Sequence, residues 1–332
     1  MFTRLKRFFL RLFRRIPAPG RFEADSKFSW RGFLATAPFV WPKREYLVYV
    51  PAGWSRWRRA PLLVLCHGCK QTPEEIAAGT RITAFADREG WLVLLPRQNE
   101  DANVWRCWNW FDSRTADGNG EAAIVAAQIE AVASRFRADP RRIVAAGMSA
   151  GGALASVLAL RHPEIVRFAF VHSGVACGAA ASPMSAISVM KSGPDTDIVA
   201  IAAAAQSAAP RNALPVPLLA IQGDQDGVVA PRNAIALVRQ FLRLNGHPAM
   251  LAVPDLPPGL PAADAESSAT GEGGRIVTTR DWRVGGRLVV RFVSIGGLDH
   301  AWSGGDAALP YNDPRPPDAL SLLALFAREA AP

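Results

Sequence analysis

Short apolar runs closed by turn residues recur from residue 44 onward. They are REYLVYV (44–50), PLLVLC (61–66), WLVLLP (91–96), RRIVAAG (141–147), RFAFVHS (167–173) and PLLAIQG (217–223). Runs this short and this continuously apolar predict strands buried on both faces. Between them lie stretches of helical periodicity, at 74–89, 119–137, 150–162 and 231–245. Alternation of strand and helix predicts a mostly parallel central sheet with helices on both faces. Residues 251–274 are rich in Pro, Gly, Ala and Ser and predict an exposed loop. The segment 275–295 alternates β-branched residues around Gly285-Gly286, a hairpin signal. A last helix is expected near 318–329, and there are no internal repeats.

Composition adds a boundary. With 332 residues, 49% hydrophobic and 20% charged, the chain is a folded globular protein with room for a full core. The net charge is +9, but residues 1–15 hold six Lys/Arg and no acid, which leaves +3 for the rest. The body therefore has no charge signature of nucleic-acid binding, and no nucleic-acid partner is expected. In the tail, Phe2, Leu5, Phe9, Leu12, Phe13 and Ile16 share one side of a helical projection, with Arg4, Arg7, Arg11, Arg14 and Arg15 on the other. Pro17 stops the pattern. Residues 1–25 thus read as a basic amphipathic N-terminal segment and 26–332 as a single α/β domain. Residues 2–16 suit an anionic membrane surface, the alternative being a frayed, solvated terminus. The longest apolar run there, Phe8-Phe9-Leu10, is too short for a clear secretory signal, and no segment reaches the roughly 18 apolar residues that span a bilayer.

Chemistry enters at GMSAGG (147–152), which follows one predicted strand and opens a predicted helix. G-x-S-x-G in that setting describes a tight turn that pushes a serine out at the carboxyl edge of the sheet. Gly147 and Gly151 leave room for the turn, and the helix N-terminus behind it favours a developing anion. Ser149 is the candidate nucleophile; the bland alternative is a helix start built from small residues. With a nucleophile on such a turn, the acid and then the histidine follow in chain order. Of five histidines, His67 and His172 lie in or beside central strands and His162 closes the nucleophile helix. His247, in the turn NGHP, reads as a surface residue. His300, in GGLDHAWSGG, is the candidate base. IQGDQDGVV (221–229) offers two acids. Asp226 is preferred, because Gly227-Val228-Val229 and Pro231 fix the chain after it; Asp224 then reads as a loop cap. Asp299 is expected to face solvent.

The stretch CHGCKQ (66–71) has C-x-x-C spacing, but no second such pair exists, so neither a metal nor a cofactor is expected. It ends a central strand, where a first oxyanion donor belongs. The two backbone N–H groups that a tetrahedral intermediate needs are assigned to Cys69 and to Ala150.

YLVYVPAGW (46–54), LCHGCKQ (65–71), CWNWF (107–111), DPRRIVAAGMSAGGALA (139–155), GDQDGVVAP (223–231) and DHAWSGG (299–305) together resemble the poly(3-hydroxybutyrate) depolymerase family of esterases. The resemblance implies an α/β-hydrolase fold, with the late hairpin before the catalytic histidine loop. It also implies an acyl-enzyme mechanism on Ser149, Asp226 and His300. The implied substrates are short hydroxyalkanoate polyesters or oligomers, with feruloyl or acetyl-xylan esters as the alternative. It further implies an extracellular or periplasmic location; a cytoplasmic or membrane-surface location is the alternative that the tail leaves open. In this family pattern Cys107 comes near Cys69, so a Cys69–Cys107 disulfide is one possibility and two free buried thiols the other. Trp108 and Trp302 are candidates for lining the ester cleft, with Trp105 and Trp110 behind them. Two further readings use the same residues: a non-catalytic binding protein of this fold, and an acyl transferase or peptidase.

Overall fold

The computed structural model describes residues 18–28, 43–208, 215–251, 259–271 and 274–330. The amphipathic pattern at 2–16 lies outside the described residues. Ten strands form one sheet: β1 (Arg21–Phe28), β2 (Lys43–Val50), β3 (Ala60–Cys66), β4 (Leu92–Pro96), β5 (Ala138–Met148), β6 (Phe168–His172), β7 (Leu218–Gly223), β8 (Ala265–Thr270), β9 (Ile276–Val284) and β10 (Arg287–Ile295). Their order across the sheet is β1-β2-β4-β3-β5-β6-β7-β10-β9-β8. The six central strands, β4 to β10 in that order, run parallel; β1 and β2 on one side and β9 and β8 on the other are antiparallel.

The continuous apolar runs are explained by the two layers of helices. Leu62, Val64 and Cys66 of β3 face one core, with the helices Gly120–Phe136, Ala150–Arg161 and Arg232–Leu244. Leu63 and Leu65 face the other, with the helices Pro73–Gly79, Ile82–Glu89 and Ala319–Glu329. Every residue of β3 is buried, so period-2 alternation still operates but has no polar side to reveal it. Removing a leucine such as Leu62 or Leu63 from water contributes about 1.5–3 kcal/mol.

Three expectations are corrected and two helices are added. The stretch 74–89 is two helices, because Arg81 takes a left-handed φ of 56° and the Gly79 carbonyl accepts Asp306 N–H at 2.8 Å. The expected loop 251–274 contains an edge strand, β8. All six of its residues are exposed, so it is held by backbone pairing to β9 and shows no hydrophobic pattern; residues 252–258 and 272–273 lie outside the described residues. The boundary drawn at residue 25 falls inside β1, which pairs with β2 along its whole length. Helices Pro183–Ser192 and Ile198–Ala208, which the apolar pattern did not single out, sit between β6 and β7. The Gly285-Gly286 hairpin is present, both glycines at positive φ (56° and 79°) as a tight turn between twisted strands requires. Among the described residues no helix is long and apolar enough to cross a membrane.

Candidate active site

Parallel strands β3, β5, β7 and β10 end at one edge of the sheet, and the segment after each carries part of the site. After β5 the chain turns sharply into the helix Ala150–Arg161. Ser149 stands at the turn with φ 57° and ψ −124°, a conformation that non-glycine residues rarely hold. The two glycines make the turn possible. A Cβ on Gly147 would lie 2.3 Å from the backbone of Gly151, and one on Gly151 would lie 2.1 Å from the Cys66 carbonyl oxygen. The turn therefore packs directly on the end of β3, and the Ser149 amide donates to the His172 carbonyl at 3.0 Å.

After β7 and β10 come Asp226 and His300. His300 Nδ1 lies 3.0 Å from Asp226 Oδ1 and 2.9 Å from Oδ2. The carboxylate is fully buried as a side chain and His300 nearly so, at 0% and 9% exposure. The amides of Val228 and Val229 donate to Asp226 Oδ1 at 3.0 and 2.8 Å, and Gln222 Nε2 donates to Oδ2 at 3.0 Å. Burial alone would raise this carboxyl. The hydrogen bond and charge of His300, with the Val228 and Val229 amides, outweigh burial and hold it below the usual range. Asp224 does not take part: its Oδ1 accepts the Gly297 amide at 2.7 Å and pins one loop to the other. Asp299 is exposed, and its Oδ1 caps its neighbour's amide, His300 N–H, at 2.8 Å.

After β3, the His67–Gln71 turn lies against the serine. A Cβ on Gly68 would stand 3.7 Å from Ser149 Cβ. Cys69 is bonded to Cys107 with an S–S distance of 2.05 Å, closing a sequence separation of 38. Lys70 N–H donates to the Trp105 carbonyl at 2.7 Å, and Trp108 Nε1 donates to the His67 carbonyl at 3.0 Å. Arg106 Nη2 also donates to the Lys70 carbonyl at 3.3 Å, so the 99–111 loop is laced to the turn by a covalent bond and three hydrogen bonds. The Cys69 amide donates to no described residue, and Ala150, the first residue of its helix, has no acceptor one turn back. Removing the bridge is expected to cost about 2–4 kcal/mol of stability. Cys69→Ser and Cys107→Ser are expected to be equally destabilised, and the double variant no worse than either, since one bond is lost only once. Urea unfolding of the three variants checks this.

The tryptophan assignment is corrected. Trp108 and Trp302 are each only 1% exposed and line no open cleft. Trp108 packs against the His67 ring, and Trp302 stacks on His172 with centroids 5.2 Å apart. Both are walls behind the site. Of the four tryptophans considered, Trp105 alone reaches solvent, 59% exposed beneath Lys70 Nζ. His247, read as a surface residue, is buried, with Nε2 3.8 Å from Asp264. Gln222 and His172 were not anticipated. His172 Nε2 accepts Ser303 N–H at 3.2 Å, which ties the segment after His300 to the strand next to the serine. The available signal was a polar residue ending an otherwise apolar, buried strand, which must find a partner.

Two of the histidines make stability depend on pH. Burial lowers the His172 pKa to about 3, with the charge of His300 acting the same way and Asp226 opposing. Burial lowers the His67 pKa to about 4, against the hydrogen bond to the Gly68 carbonyl. Above about pH 6.5 both rings are neutral whether the chain is folded or unfolded. Below it the unfolded chain binds two protons that the folded chain refuses. Stability is therefore expected to fall as pH falls, by about 1.4 kcal/mol per pH unit for each ring. Unfolding free energies in urea between about pH 6.5 and pH 4.5 check the slope.

Residues 44–252 match the family described as Esterase PHB depolymerase. The chain belongs to that family. Ser149 and Asp226 lie inside the matched stretch; His300 lies beyond it, and its hydrogen bond to Asp226 is what attaches it to the other two. Over 215 residues the chain is 30% identical to poly(3-hydroxyalkanoate) depolymerase C of Paucimonas lemoignei, covering 64% of this chain and 51% of that protein. Over 142 residues it is 29% identical to feruloyl esterase B of Thermothelomyces thermophilus, covering 43% and 48%. The chain spans about half the length of these curated relatives. Among solved structures, acetyl xylan esterase from Aspergillus awamori is similar with a TM-score of 0.66 over 84% of this chain and 94% of that one, at 18% identity. An S-formylglutathione hydrolase from Agrobacterium tumefaciens has a TM-score of 0.53 over 94% and 96%, at 14% identity. At such identities the likeness is one of fold, and the fold is the α/β-hydrolase.

Proposed function

We propose that the chain is a serine hydrolase of carboxylic esters that works through an acyl-enzyme. The observation that carries this reading is His300 Nδ1 within hydrogen-bond distance of both accepting oxygens of the Asp226 carboxylate, on the same sheet edge as a serine held in a strained strand-to-helix turn. Ser149 Oγ attacks the acyl carbon while His300 takes its proton. His300 then gives that proton to the leaving alcohol, and water repeats the two steps on the acyl-enzyme. Asp226 keeps the imidazole in one tautomer and stabilises its charged form; its lowered pKa supports an ionised carboxylate at neutral pH. The amides of Cys69 and Ala150 receive the oxyanion.

The substrates proposed are short hydroxyalkanoate polyesters or their oligomers. Family membership supports them, as does likeness to a depolymerase over more of the chain than to a feruloyl esterase. The exposed Val104 and Trp105 beside the oxyanion turn supply apolar contact for a chain of such units. Feruloyl or acetyl-xylan esters are the second reading, favoured by the match to feruloyl esterase B. A disulfide in the 66–71 turn suits maturation in an oxidising compartment, extracellular or periplasmic. A panel of p-nitrophenyl esters of graded acyl length, hydroxybutyrate oligomers, amorphous polymer and methyl ferulate tests the proposal. Oligomers are expected to be turned over faster than methyl ferulate. The opposite order selects the second reading, and a folded protein that hydrolyses no ester removes both.

A further inference from the structure

The Gly68–Cys69 peptide carries the Cys69 amide at one end and a carbonyl that the protein grips at the other. His67 Nδ1 lies 2.8 Å from Gly68 O, and His67 Nε2 lies 3.2 Å from the backbone nitrogen of Gln98. The Gln98 N–H must donate, so Nε2 accepts, and the single proton of the neutral ring sits on Nδ1. His67 therefore donates to the Gly68 carbonyl. A peptide unit is planar and trans, so fixing the direction of its C=O fixes the opposite direction of its N–H. The same hydrogen bond polarises the peptide and strengthens the N–H as a donor.

Gln98 is itself held. Its Nε2 donates to Cys107 O at 3.0 Å and to Glu121 Oε1 at 2.5 Å. Glu121 Oε1 also accepts Asn109 Nδ2 at 2.8 Å, and Oε2 accepts the Asn109 amide at 2.7 Å. One buried carboxylate thus grips the residue that sets the His67 tautomer and the loop that carries Cys107 and Trp108. A carboxylate 5% exposed is costly unless its partners are fixed, and the side chains that donate to it, Gln98 and Asn109, belong to the two segments that hold the 66–71 turn. Burial raises its pKa, while the hydrogen bonds of Gln98 and Asn109 and the charge of Arg44 oppose that rise.

We propose that Glu121 and His67 are positioning residues for transition-state stabilisation: Glu121 fixes Gln98, the Gln98 amide sets the His67 tautomer, and His67 aims the Cys69 N–H at the developing oxyanion. The proposal rests on the serine mechanism above. Its test uses the full chain, a soluble p-nitrophenyl ester, and a trifluoromethyl ketone whose serine adduct bears the oxyanion. Removing an oxyanion donor costs about 10²–10³ in kcat, and misaiming one costs less, so His67→Leu is expected to lower kcat by about 30-fold. KM is expected to stay within about twofold, and the ketone to weaken in proportion to kcat. His67→Asn, whose amide can place an N–H near the Nδ1 position, is expected to recover most of the loss. Glu121→Gln sets an NH₂ against the Gln98 and Asn109 donors and is expected to lower kcat by about 10-fold with the same unchanged KM. If His67→Leu does not fold, Glu121→Gln decides by the same criteria. Folded variants with wild-type kcat and ketone affinity overturn the proposal, even if their thermal stability has dropped. So does a loss confined to KM. Ser149→Ala separates the two levels: activity that survives it removes the serine mechanism, whereas activity abolished by it beside inert His67 and Glu121 variants removes only the positioning role.

Discussion

Ser149→Ala is expected to lower ester hydrolysis by at least about 10⁴-fold and to leave the fold intact. On the proposed mechanism the loss is large because Ser149 is the group that forms the acyl-enzyme; what remains is the catalysis that oxyanion donors and binding supply alone. The fold is expected to survive because alanine tolerates the φ of 57° no worse than serine does. The Ser149 amide keeps its hydrogen bond to the His172 carbonyl. A fluorophosphonate is expected to label the wild-type chain at Ser149 and to leave the alanine variant unlabelled, read by mass mapping of the modified peptide. Labelling at another serine, or turnover undiminished in the variant, removes the nucleophile assignment.

Asp226→Asn is expected to lower kcat by about 10⁴-fold with little change in KM. The reason is in the hydrogen bonds. Two backbone amides, from Val228 and Val229, point at Oδ1, so an asparagine places its oxygen there. Its NH₂ then takes the Oδ2 position, 2.9 Å from His300 Nδ1. An Nδ1–H would face that NH₂ and keep only the Oδ1 contact at 3.0 Å, already shared with two amides, so the tautomer with Nδ1 as acceptor and the proton on Nε2 is favoured. A ring protonated at Nε2 cannot take a proton from serine. Asp224→Asn carries no such penalty, because Asp224 only accepts the Gly297 amide and an asparagine oxygen can replace it. It is expected to cost less than about tenfold, the scale of a displaced but intact site. Steady-state kinetics of the two variants check the ranking, and the reverse order makes Asp224 the partner of the histidine.

The parts of this molecule that were readable from the chain are those written in local pattern. Strands such as 61–66 and 218–223 announce themselves because both faces of a central parallel strand are covered, which demands an unbroken apolar run. The turn at Ser149 is legible because glycines are needed on both sides of it, where any Cβ would strike backbone. Asp226 was preferred to Asp224 on the Gly227-Val228-Val229 and Pro231 that follow it, and in the fold the amides of Val228 and Val229 turn back onto its carboxylate, a short-range feature. Strands β1 and β8 had no such mark. They lie at the two edges of the sheet, largely solvent-facing, so pairing holds them without requiring apolar side chains.

The sequence by itself thus determined the alternating elements, the serine turn and the chain order of candidate acid and histidine, because each depends on residues within a few positions of one another. Which way a side chain faces, and what surrounds it, depended on residues far apart in the chain. Trp108 and Trp302 are as compatible with an open cleft as with a core; the His67 turn, 41 residues from Trp108, and the His172 ring, stacked at 5.2 Å on Trp302, decided for the core. The same holds for the neutral state of His67 and His172. Neighbours in sequence do not reveal it, whereas complete burial among segments distant in the chain lowers both pKa values.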